Sequence, residues 1–236
     1  MLLTSIEDSN SGIEARYEIF DVRKRSKIRS SKVYGVSNNV RQLSHYISDG
    51  IYEAITGIQG VASTKILYVS QSNDLNAPYK LFVADADGKN EQLLVKSPEP
   101  IISPTWSPDS KKVAYVSFET GTANVYIQDI SSGDRKSIIK KTCSTCSTNE
   151  QISSPSWSPD GKYLSLTLYQ DGNAEIYIYN LQNKNLTRLT NHYSIDTESK
   201  WSPDGRKLMF TSGRSGSPQL YELDLRKINK KPKRLT

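Results

Sequence analysis

The stretch Trp157-Ser158-Pro159-Asp160-Gly161 decides the fold, because close copies of it occur three times in this chain. The other copies are Trp106-Ser107-Pro108-Asp109-Ser110 and Trp201-Ser202-Pro203-Asp204-Gly205. The three tryptophans are 51 (157 − 106) and 44 (201 − 157) residues apart. Ser-Pro-Asp-Gly suits a type I turn, since proline fixes φ, aspartate accepts local amide hydrogen bonds and glycine tolerates the exit geometry. Each copy therefore predicts a tight turn at the same place in a repeating unit.

Short β-rich runs follow each turn, and together they predict a four-stranded meander. In the third unit these runs are Tyr163–Thr167, Glu175–Ile178 and Thr187–Thr190. A less regular unit precedes the first tryptophan from Lys65, with Asp87-Gly88 as its hairpin turn. A single meander cannot bury both of its faces, whereas radial stacking on its neighbours does. The sequence predicts a mainly β fold, an incomplete β-propeller of about four WD40-like blades over residues 65–236.

The first 60 residues have a different pattern. Residues 17–22 and 31–36 predict a strand pair around the basic turn Arg23–Arg29. Ser37 or Asn38 is expected to cap a following helix, which would stop at Gly57. The helix is predicted from an apolar stripe with helical spacing, namely Val40, Leu43, Ile47, Ile51 and Ile55. Two strands and a helix are too little for an independent domain, so 1–60 is interpreted as the C-terminal part of an α/β domain.

Three segments in this order resemble the TolB family, the periplasmic component of the bacterial Tol–Pal envelope system. They are the helix Arg41–Glu53 with Ile55-Thr56-Gly57-Ile58-Gln59-Gly60, the strand Lys65-Ile66-Leu67-Tyr68-Val69, and the Trp-Ser-Pro-Asp-Gly blades. The resemblance covers about 17–236. It implies a periplasmic, non-catalytic interaction scaffold that binds a Pal-type peptidoglycan-associated lipoprotein, supports outer-membrane integrity and constriction at division, and is exploited in colicin import.

The family pattern is longer than this sequence. Its members have a signal peptide, a segment that engages TolA, a full α/β domain and six blades. Residues 1–8 do not form a secretory apolar region. We therefore expect a truncated family member without a signal peptide, whose TolA contact lies in a segment missing here. Without the resemblance, a cytosolic protein is the alternative.

Candidate binding residues lie just before the tryptophans. The innermost strand of a propeller blade runs up to its tryptophan, so these residues should surround one mouth of the central tunnel. The family binds Pal and colicins on that face, and the resemblance assigns this role to Gln151, Ser154, Thr197 and Glu198, with Ser103 as the equivalent of Ser154. Small polar groups suit a hydrogen-bonded partner loop better than an apolar groove. The alternative is that these residues are simply solvated at the ends of the blades. His192 lies in the same loop region, and for it too solvation is the alternative to a partner contact.

Charge and composition limit the other functions. The formal charge of +6 does not indicate nucleic acid, and the basic runs 23–29 and 226–234 lack interleaved aromatic residues that stack on bases. Both runs are predicted to be solvated, with weak attraction to anionic surfaces as the alternative. No apolar run approaches the length of a membrane helix. We expect no cofactor, metal or small-molecule substrate, and interpret Asp109, Asp160 and Asp204 as turn acceptors.

Two features favour an enzyme at first sight. Cys143-Ser144-Thr145-Cys146 has redox-motif spacing, but it lies in a Ser/Thr-rich loop outside any βαβ pattern, so a loop disulfide or two free thiols is preferred. The rival function is an accessory propeller of a prolyl-oligopeptidase-type serine peptidase. That class needs a Gly-x-Ser-x-Gly elbow, and Gly213-Arg214-Ser215-Gly216 has the wrong spacing. An exported sensor propeller would normally carry a membrane span. The prediction is that this chain is not an enzyme.

Overall fold

The structure is a computed structural model that describes residues 1–9, 12–36, 39–139, 151–170, 172–227 and 231–236. The chain divides into two compact units. One contains Met1–Ile66 with Val83–Gln92, and the other contains Leu67–Phe82 with Leu93–Thr236. In the described residues, no helix combines the length and the apolar character needed to cross a bilayer.

The first unit holds an antiparallel three-stranded sheet and one helix. The strands are β1 (Leu2–Ser9), β2 (Gly12–Asp21) and β3 (Ser26–Gly35), in spatial order β1-β2-β3, and the helix is α1 (Val40–Thr56). The predicted strand pair is confirmed as β2 and β3, but the expected basic turn Arg23–Arg29 is shorter than predicted, because β3 already begins at Ser26. Strand β1 was not predicted. It forms by pairing along the free edge of β2, a non-local contact that its mixed polar sequence does not announce.

The ends of α1 follow capping chemistry. Asn39 is the N-cap, and its side chain accepts a hydrogen bond from the Gln42 amide, at 3.2 Å. The expected cap at Ser37 or Asn38 is therefore wrong by one or two positions, and both residues lie outside the described part of the chain. The predicted stop at Gly57 is confirmed, since this glycine has φ of 73° and its amide donates to the Glu53 carbonyl.

Gly50 lies in the middle of α1, where glycine normally costs about 1 kcal/mol relative to alanine. Its position is explained by Tyr17, which is buried on β2. A Cβ atom at Gly50 would lie 2.1 Å from the Tyr17 hydroxyl oxygen. The glycine therefore allows the helix to approach the sheet closely, and packing overrides helix propensity here.

Strands β4 to β18 form four sheets that follow one another along the chain, which we call blades 1 to 4. Blade 1 has three strands, β4 (Lys65–Gln71), β5 (Tyr79–Asp85) and β6 (Gln92–Ser97). Blade 2 contains β7 (Ile101–Trp106), β8 (Lys112–Ser117), β9 (Asn124–Asp129) and β10 (Arg135–Ile139). Blade 3 contains β11 (Gln151–Trp157), β12 (Tyr163–Gln170), β13 (Asn173–Asn180) and β14 (Leu186–Arg188). Blade 4 contains β15 (Asp196–Trp201), β16 (Lys207–Ser212), β17 (Gln219–Asp224) and β18 (Lys233–Arg234).

The apolar core lies between consecutive blades rather than inside any one of them. One cluster joins Leu81 and Val95 of blade 1 to residues of blade 2 such as Tyr115. A second joins blades 2 and 3, and a third joins blades 3 and 4. The middle strands, such as β8, are consequently buried on both faces. This arrangement confirms the predicted stacking of meanders, and the fold is mainly β.

The three Ser-Pro-Asp turns are built alike. In the turn of blade 3, the Gly161 amide donates to the Ser158 carbonyl at 2.9 Å, and the Ser158 hydroxyl donates to Asp160 Oδ1 at 2.6 Å. Asp160 Oδ1 also accepts from the Lys162 amide, at 3.1 Å. The hydroxyl hydrogen bond is the main reason that the pKa of Asp160 is lowered. The interpretation of these aspartates as turn acceptors agrees with this geometry.

Candidate interaction site on the inner strands

The candidate site is formed where the innermost strands begin, at the end opposite the Ser-Pro-Asp turns. Strands β7, β11 and β15 are the first strands of their blades, and β11 lies next to both of the others. Each strand has a β-bulge against its neighbour in the same blade. Ser103, Ser154 and Glu198 occupy the bulges, each three residues before the tryptophan of its blade. Three candidate residues are therefore equivalent positions of one repeated feature.

All three bulge residues have a left-handed backbone. The φ angles are 52° at Ser103, 52° at Ser154 and 57° at Glu198. Residues other than glycine rarely adopt this conformation, and proline, which follows the two serines, disfavours it further. Such a conformation costs about 1–3 kcal/mol per residue, and it is concentrated at binding and catalytic sites. A bulge also redirects the side chain of its strand.

The bulge at Glu198 is held by the preceding blade. The Glu198 amide donates a hydrogen bond to the Thr167 hydroxyl on β12, at 3.2 Å. Thr167 is buried, while the Glu198 side chain is exposed. The residue of blade 2 that corresponds to Thr167 is Val116, which has no hydroxyl to offer to Ser154. The Glu198 position is therefore fixed by a hydrogen bond to the preceding blade, and Val116 cannot make the equivalent hydrogen bond to Ser154.

A buried ion pair lies beside Glu198. Asp196 is fully buried, and its Oδ2 atom lies 2.6 Å from Arg214 Nη2. The Arg214 guanidinium also lies over the rings of Phe210 and Tyr221, at 5.4 and 5.0 Å from their centroids. Asp196 Oδ1 has no hydrogen-bond partner among the described residues. The start of β15 is therefore more polar than that of β7 or β11, where an isoleucine takes the place of Asp196.

The remaining predicted residues have different surroundings. Thr197 is half-buried and lies opposite Thr211 across the β15–β16 pair. Gln151 lies opposite Tyr169 at the start of β11, and its side chain is outside the described part of the structure. The structure therefore brings Ser103, Ser154 and Glu198 into equivalent positions, with Thr197 next to one of them.

A buried carboxylate organises the loop that leads into β15. Glu175 is 2% exposed and accepts hydrogen bonds from the His192 amide at 2.7 Å and the Thr190 hydroxyl at 2.5 Å. Arg188 Nη2 lies 3.0 Å from Glu175 Oε1. The His192 ring accepts from the Ser194 amide and lies 4.2 Å from the Tyr193 ring. His192 therefore helps to shape this loop through local contacts.

Sequence reasoning did not identify the supporting residues Thr167, Glu175 and Arg214. A signal for Asp196 was present, because aligning the repeats places it at Ile101 and Ile152 of the other blades. A charged residue at an inner-strand position that is apolar in the other two blades indicates a role other than core packing. Glu175 and Arg214 lie far from their partners in sequence, so only the folded chain reveals their roles.

One cluster in the first unit has the composition of a metal site. His45, Asp85 and Asp87 place ligand atoms within 4.8 Å of one another. Lys65 Nζ lies 2.8 Å from Asp85 Oδ1, and this hydrogen bond is the main cause of the lowered pKa of Asp85. Arg41 pairs with Asp87. Because both carboxylates already have cationic partners, the cluster is a salt-bridge network. Cys143 and Cys146 lie outside the described residues.

The repeated blades match a known family. Residues 52–236 match the model of the TolB β-propeller domain. The chain belongs to the TolB β-propeller family. A Tol-Pal system protein TolB of Alcanivorax borkumensis is 49% identical over 162 residues, which are 68% of this chain and 36% of that protein. The crystal structure of TolB from Acinetobacter baumannii is 39% identical with a TM-score of 0.89, and covers 100% of this chain and 57% of its own.

More distant structures share the fold alone. A puromycin-hydrolyzing peptidase of Mycobacterium tuberculosis matches 99% of this chain and 38% of its own, with a TM-score of 0.56 and 13% identity. The TolB of Acinetobacter baumannii is similar in sequence as well as in fold, and that of Alcanivorax borkumensis is similar in sequence. The match covers 36% of the Alcanivorax borkumensis TolB and 57% of the Acinetobacter baumannii TolB, so this chain spans only part of the length of these relatives.

Proposed function

We propose that this chain is part of a periplasmic, non-catalytic scaffold of the Tol–Pal system, and that its inner-strand bulges bind a Pal-type lipoprotein. Membership of the TolB family supports the assignment of this chain to the Tol–Pal system. The proposed location of the binding site rests on the repeated left-handed backbone at Ser103, Ser154 and Glu198. Three costly conformations at one register of three blades need a common reason, and presenting polar side chains to a partner supplies one.

The chemistry of the bulges suits a hydrogen-bonded protein partner. Two serine hydroxyls can donate and accept, while the exposed Glu198 carboxylate accepts only. Thr197 adds another hydroxyl beside Glu198. These groups fit a polar loop of the lipoprotein, whose amides or cationic side chains would meet the carboxylate. We include Gln151 among the proposed partner-binding residues because it lies at the start of β11.

Glu198→Lys tests the site directly. We expect this variant to bind the periplasmic domain of a Pal-type lipoprotein at least 10-fold more weakly in calorimetry, with an unchanged melting temperature. Glu7→Lys makes the same charge change on the exposed edge strand β1 and should bind normally. Equal affinity of Glu198→Lys and the parent chain would remove Glu198 from the site.

Replacing a bulge residue by glycine separates strain from binding. Ser154→Gly relieves the left-handed backbone and should stabilise the chain by about 1 kcal/mol. It also removes the hydroxyl, so affinity for the lipoprotein should fall. A glycine variant that is more stable and binds equally well would show that the conformation serves folding instead of recognition.

The cellular roles follow from the same proposal. If the bulges bind Pal, chains with Glu198→Lys should support outer-membrane integrity and constriction at division less well, and should support colicin import less well where colicins use this surface. TolA would contact a different part of the scaffold. Detergent sensitivity of cells that express the two variants tests this extension, with Glu7→Lys again expected to behave as the parent.

A further inference from the structure

The tip of the β2–β3 hairpin is a compact, ordered turn. Strand β2 ends at Asp21 and β3 begins at Ser26. Asp21 Oδ1 accepts hydrogen bonds from the amides of Arg23 and Lys24, at 2.9 and 3.0 Å. The carboxylate of Asp21 is therefore engaged with the backbone of the turn. The side chains that follow it are presented from a defined backbone.

The hairpin tip carries a surplus of positive charge. Its basic residues number five, namely Arg23, Lys24, Arg25, Lys27 and Arg29. Lys27 lies 2.6 Å from Glu18 Oε1, and Arg29 lies 2.8 Å from Glu53 Oε2. Within the described part of the chain, the other three make no ion pair. Three consecutive exposed cations therefore remain available to an anionic partner.

Exposed aliphatic side chains flank these cations on both sides. Val22, before them, is 68% exposed, and Ile28, after them, is 47% exposed. Neither side chain is held in the core of the first unit. The tip therefore combines apolar groups with free cations over seven consecutive residues.

We propose that the hairpin tip, residues 22–28, binds the surface of an anionic phospholipid bilayer. Lipid phosphates would meet Arg23, Lys24 and Arg25, while Val22 and Ile28 would lie at the boundary between headgroups and acyl chains. Each cation near an anionic membrane strengthens binding by about fivefold, so the three together account for about 100-fold. The segment has no aromatic side chain to stack on bases, which disfavours nucleic acid.

The test is co-sedimentation of the full chain with vesicles of equal parts phosphatidylcholine and phosphatidylglycerol. We expect the parent chain to bind, and Arg23→Gln/Lys24→Gln/Arg25→Gln to bind about 100-fold more weakly. The matched control is Lys111→Gln/Lys162→Gln/Lys184→Gln, three exposed lysines of the second unit. Both triple variants reduce the formal charge from +6 to +3 (6 − 3), and the control should keep most of the binding.

Further measurements with vesicles, inorganic phosphate and duplex DNA complete the test. Val22→Ser/Ile28→Ser should weaken vesicle binding at unchanged charge, and pure phosphatidylcholine vesicles should bind the parent poorly. Inorganic phosphate at the concentration of the lipid headgroups should not compete, because an isolated anion lacks the extended surface. The proposal is overturned if both triple variants lose binding equally, if free phosphate competes fully, or if the tip variant loses binding to duplex DNA but retains vesicle binding. Circular dichroism melts of all variants identify any loss of fold.

Discussion

The interface between blades 3 and 4 is packed around a tryptophan. Trp201 Nε1 donates a hydrogen bond to the Ser156 carbonyl of the neighbouring blade, at 3.1 Å. Its ring stacks against Tyr163, with centroids 6.3 Å apart. The cavity that remains beside these residues has a volume of about 480 Å³. Both the polar and the apolar parts of Trp201 therefore have partners.

The interface between blades 2 and 3 has the same motif but borders a larger cavity. Trp157 Nε1 is buried and has no hydrogen-bond partner among the described residues. The residue six positions after the tryptophan, which is Tyr163 in blade 3, is Lys112 in blade 2. Lys112 and Trp157 line a cavity of about 1050 Å³. A flexible cation therefore stands where the other interface has an aromatic ring.

The comparison shows that one repeated motif does not guarantee one kind of interface. The backbones of the two turns are alike, with equivalent hydrogen bonds in each. Among other differences between the preceding blades, the residue that faces the tryptophan is tyrosine in blade 3 and lysine in blade 2. The hydrogen bonding of the two tryptophans differs as well. An unpaired buried N–H costs about 1–3 kcal/mol, so the interface between blades 2 and 3 should be the weaker one.

The largest difference is expected when the tryptophans are removed. Trp201→Ala should destabilise the chain by about 3–5 kcal/mol, because it deletes a packed ring and leaves the Ser156 carbonyl unpaired. Trp157→Ala should cost about half as much, since Trp157 lines the larger cavity and its Nε1 has no hydrogen bond among the described residues to lose. Urea unfolding followed by far-ultraviolet circular dichroism measures both. Equal losses would show that the two interfaces are energetically the same.

Exchanging the residues that face the tryptophans should convert one interface toward the other. Lys112→Tyr should stabilise the chain by about 1 kcal/mol, because the new ring can stack on Trp157 and fill part of the cavity. Tyr163→Lys should destabilise it by about 1–3 kcal/mol, because it removes the stacking on Trp201. The same unfolding experiment applies. Destabilisation by Lys112→Tyr would mean that the larger cavity is not simply underfilled.

The turn of blade 2 offers a smaller test. Ser110 has φ of 57° at the position where the other two turns have glycine. Ser110→Gly should therefore stabilise the chain by about 0.5–1 kcal/mol. Gly161→Ser, which places the strained residue in blade 3, should destabilise it by a similar amount. Melting temperatures of the two variants should shift in opposite directions.

The smallest expected effect concerns acid. Hydrogen bonds from Ser107, Ser158 and Ser202 are the largest cause of the lowered pKa at Asp109, Asp160 and Asp204, respectively. A carboxylate with a lowered folded-state pKa stabilises the fold above its usual pKa of about 4, and this stabilisation is lost as pH falls through the folded-state value.

Melting temperature should therefore decrease as the solution is acidified below about pH 4, and Asp109→Asn and Asp204→Asn should each weaken that dependence. The effect of each residue is small because the carboxylates are close to solvent, which screens their interactions. If Asp109→Asn alters the pH dependence of the melting temperature and Asp204→Asn does not, the interface with the larger cavity is also the more acid-sensitive one. If the slope of melting temperature against pH is unchanged in both variants, the turn carboxylates do not contribute to the acid dependence of stability.

Much of the fold was predictable from local pattern. Strand β12 begins at Tyr163, as predicted, because it directly follows a turn of defined chemistry, and it extends beyond the predicted Thr167 to Gln170. Strand β1 was missed because its partner β2 is what makes it a strand. The helix cap was misplaced because several polar residues before Val40 can serve equally well by sequence alone.

The candidate site was predictable in position but not in conformation. Ser103, Ser154 and Glu198 each lie three positions before a repeated tryptophan, so the sequence alone places them at equivalent positions. Their left-handed backbone depends on the bulges, which arise from register shifts between paired strands. Pairing register is a property of two strands together, so neither sequence contains it alone.

By itself, the sequence determined the repeating unit of this protein, since proline, aspartate and glycine restrict the backbone within a few residues of each turn. It also determined which residues occupy equivalent places in successive blades. Only the tertiary structure decided how well each tryptophan is packed, that Thr167 holds Glu198, and that Gly50 accommodates Tyr17. These outcomes depend on side chains distant in sequence, whose contacts exist only once the blades and the helix are packed.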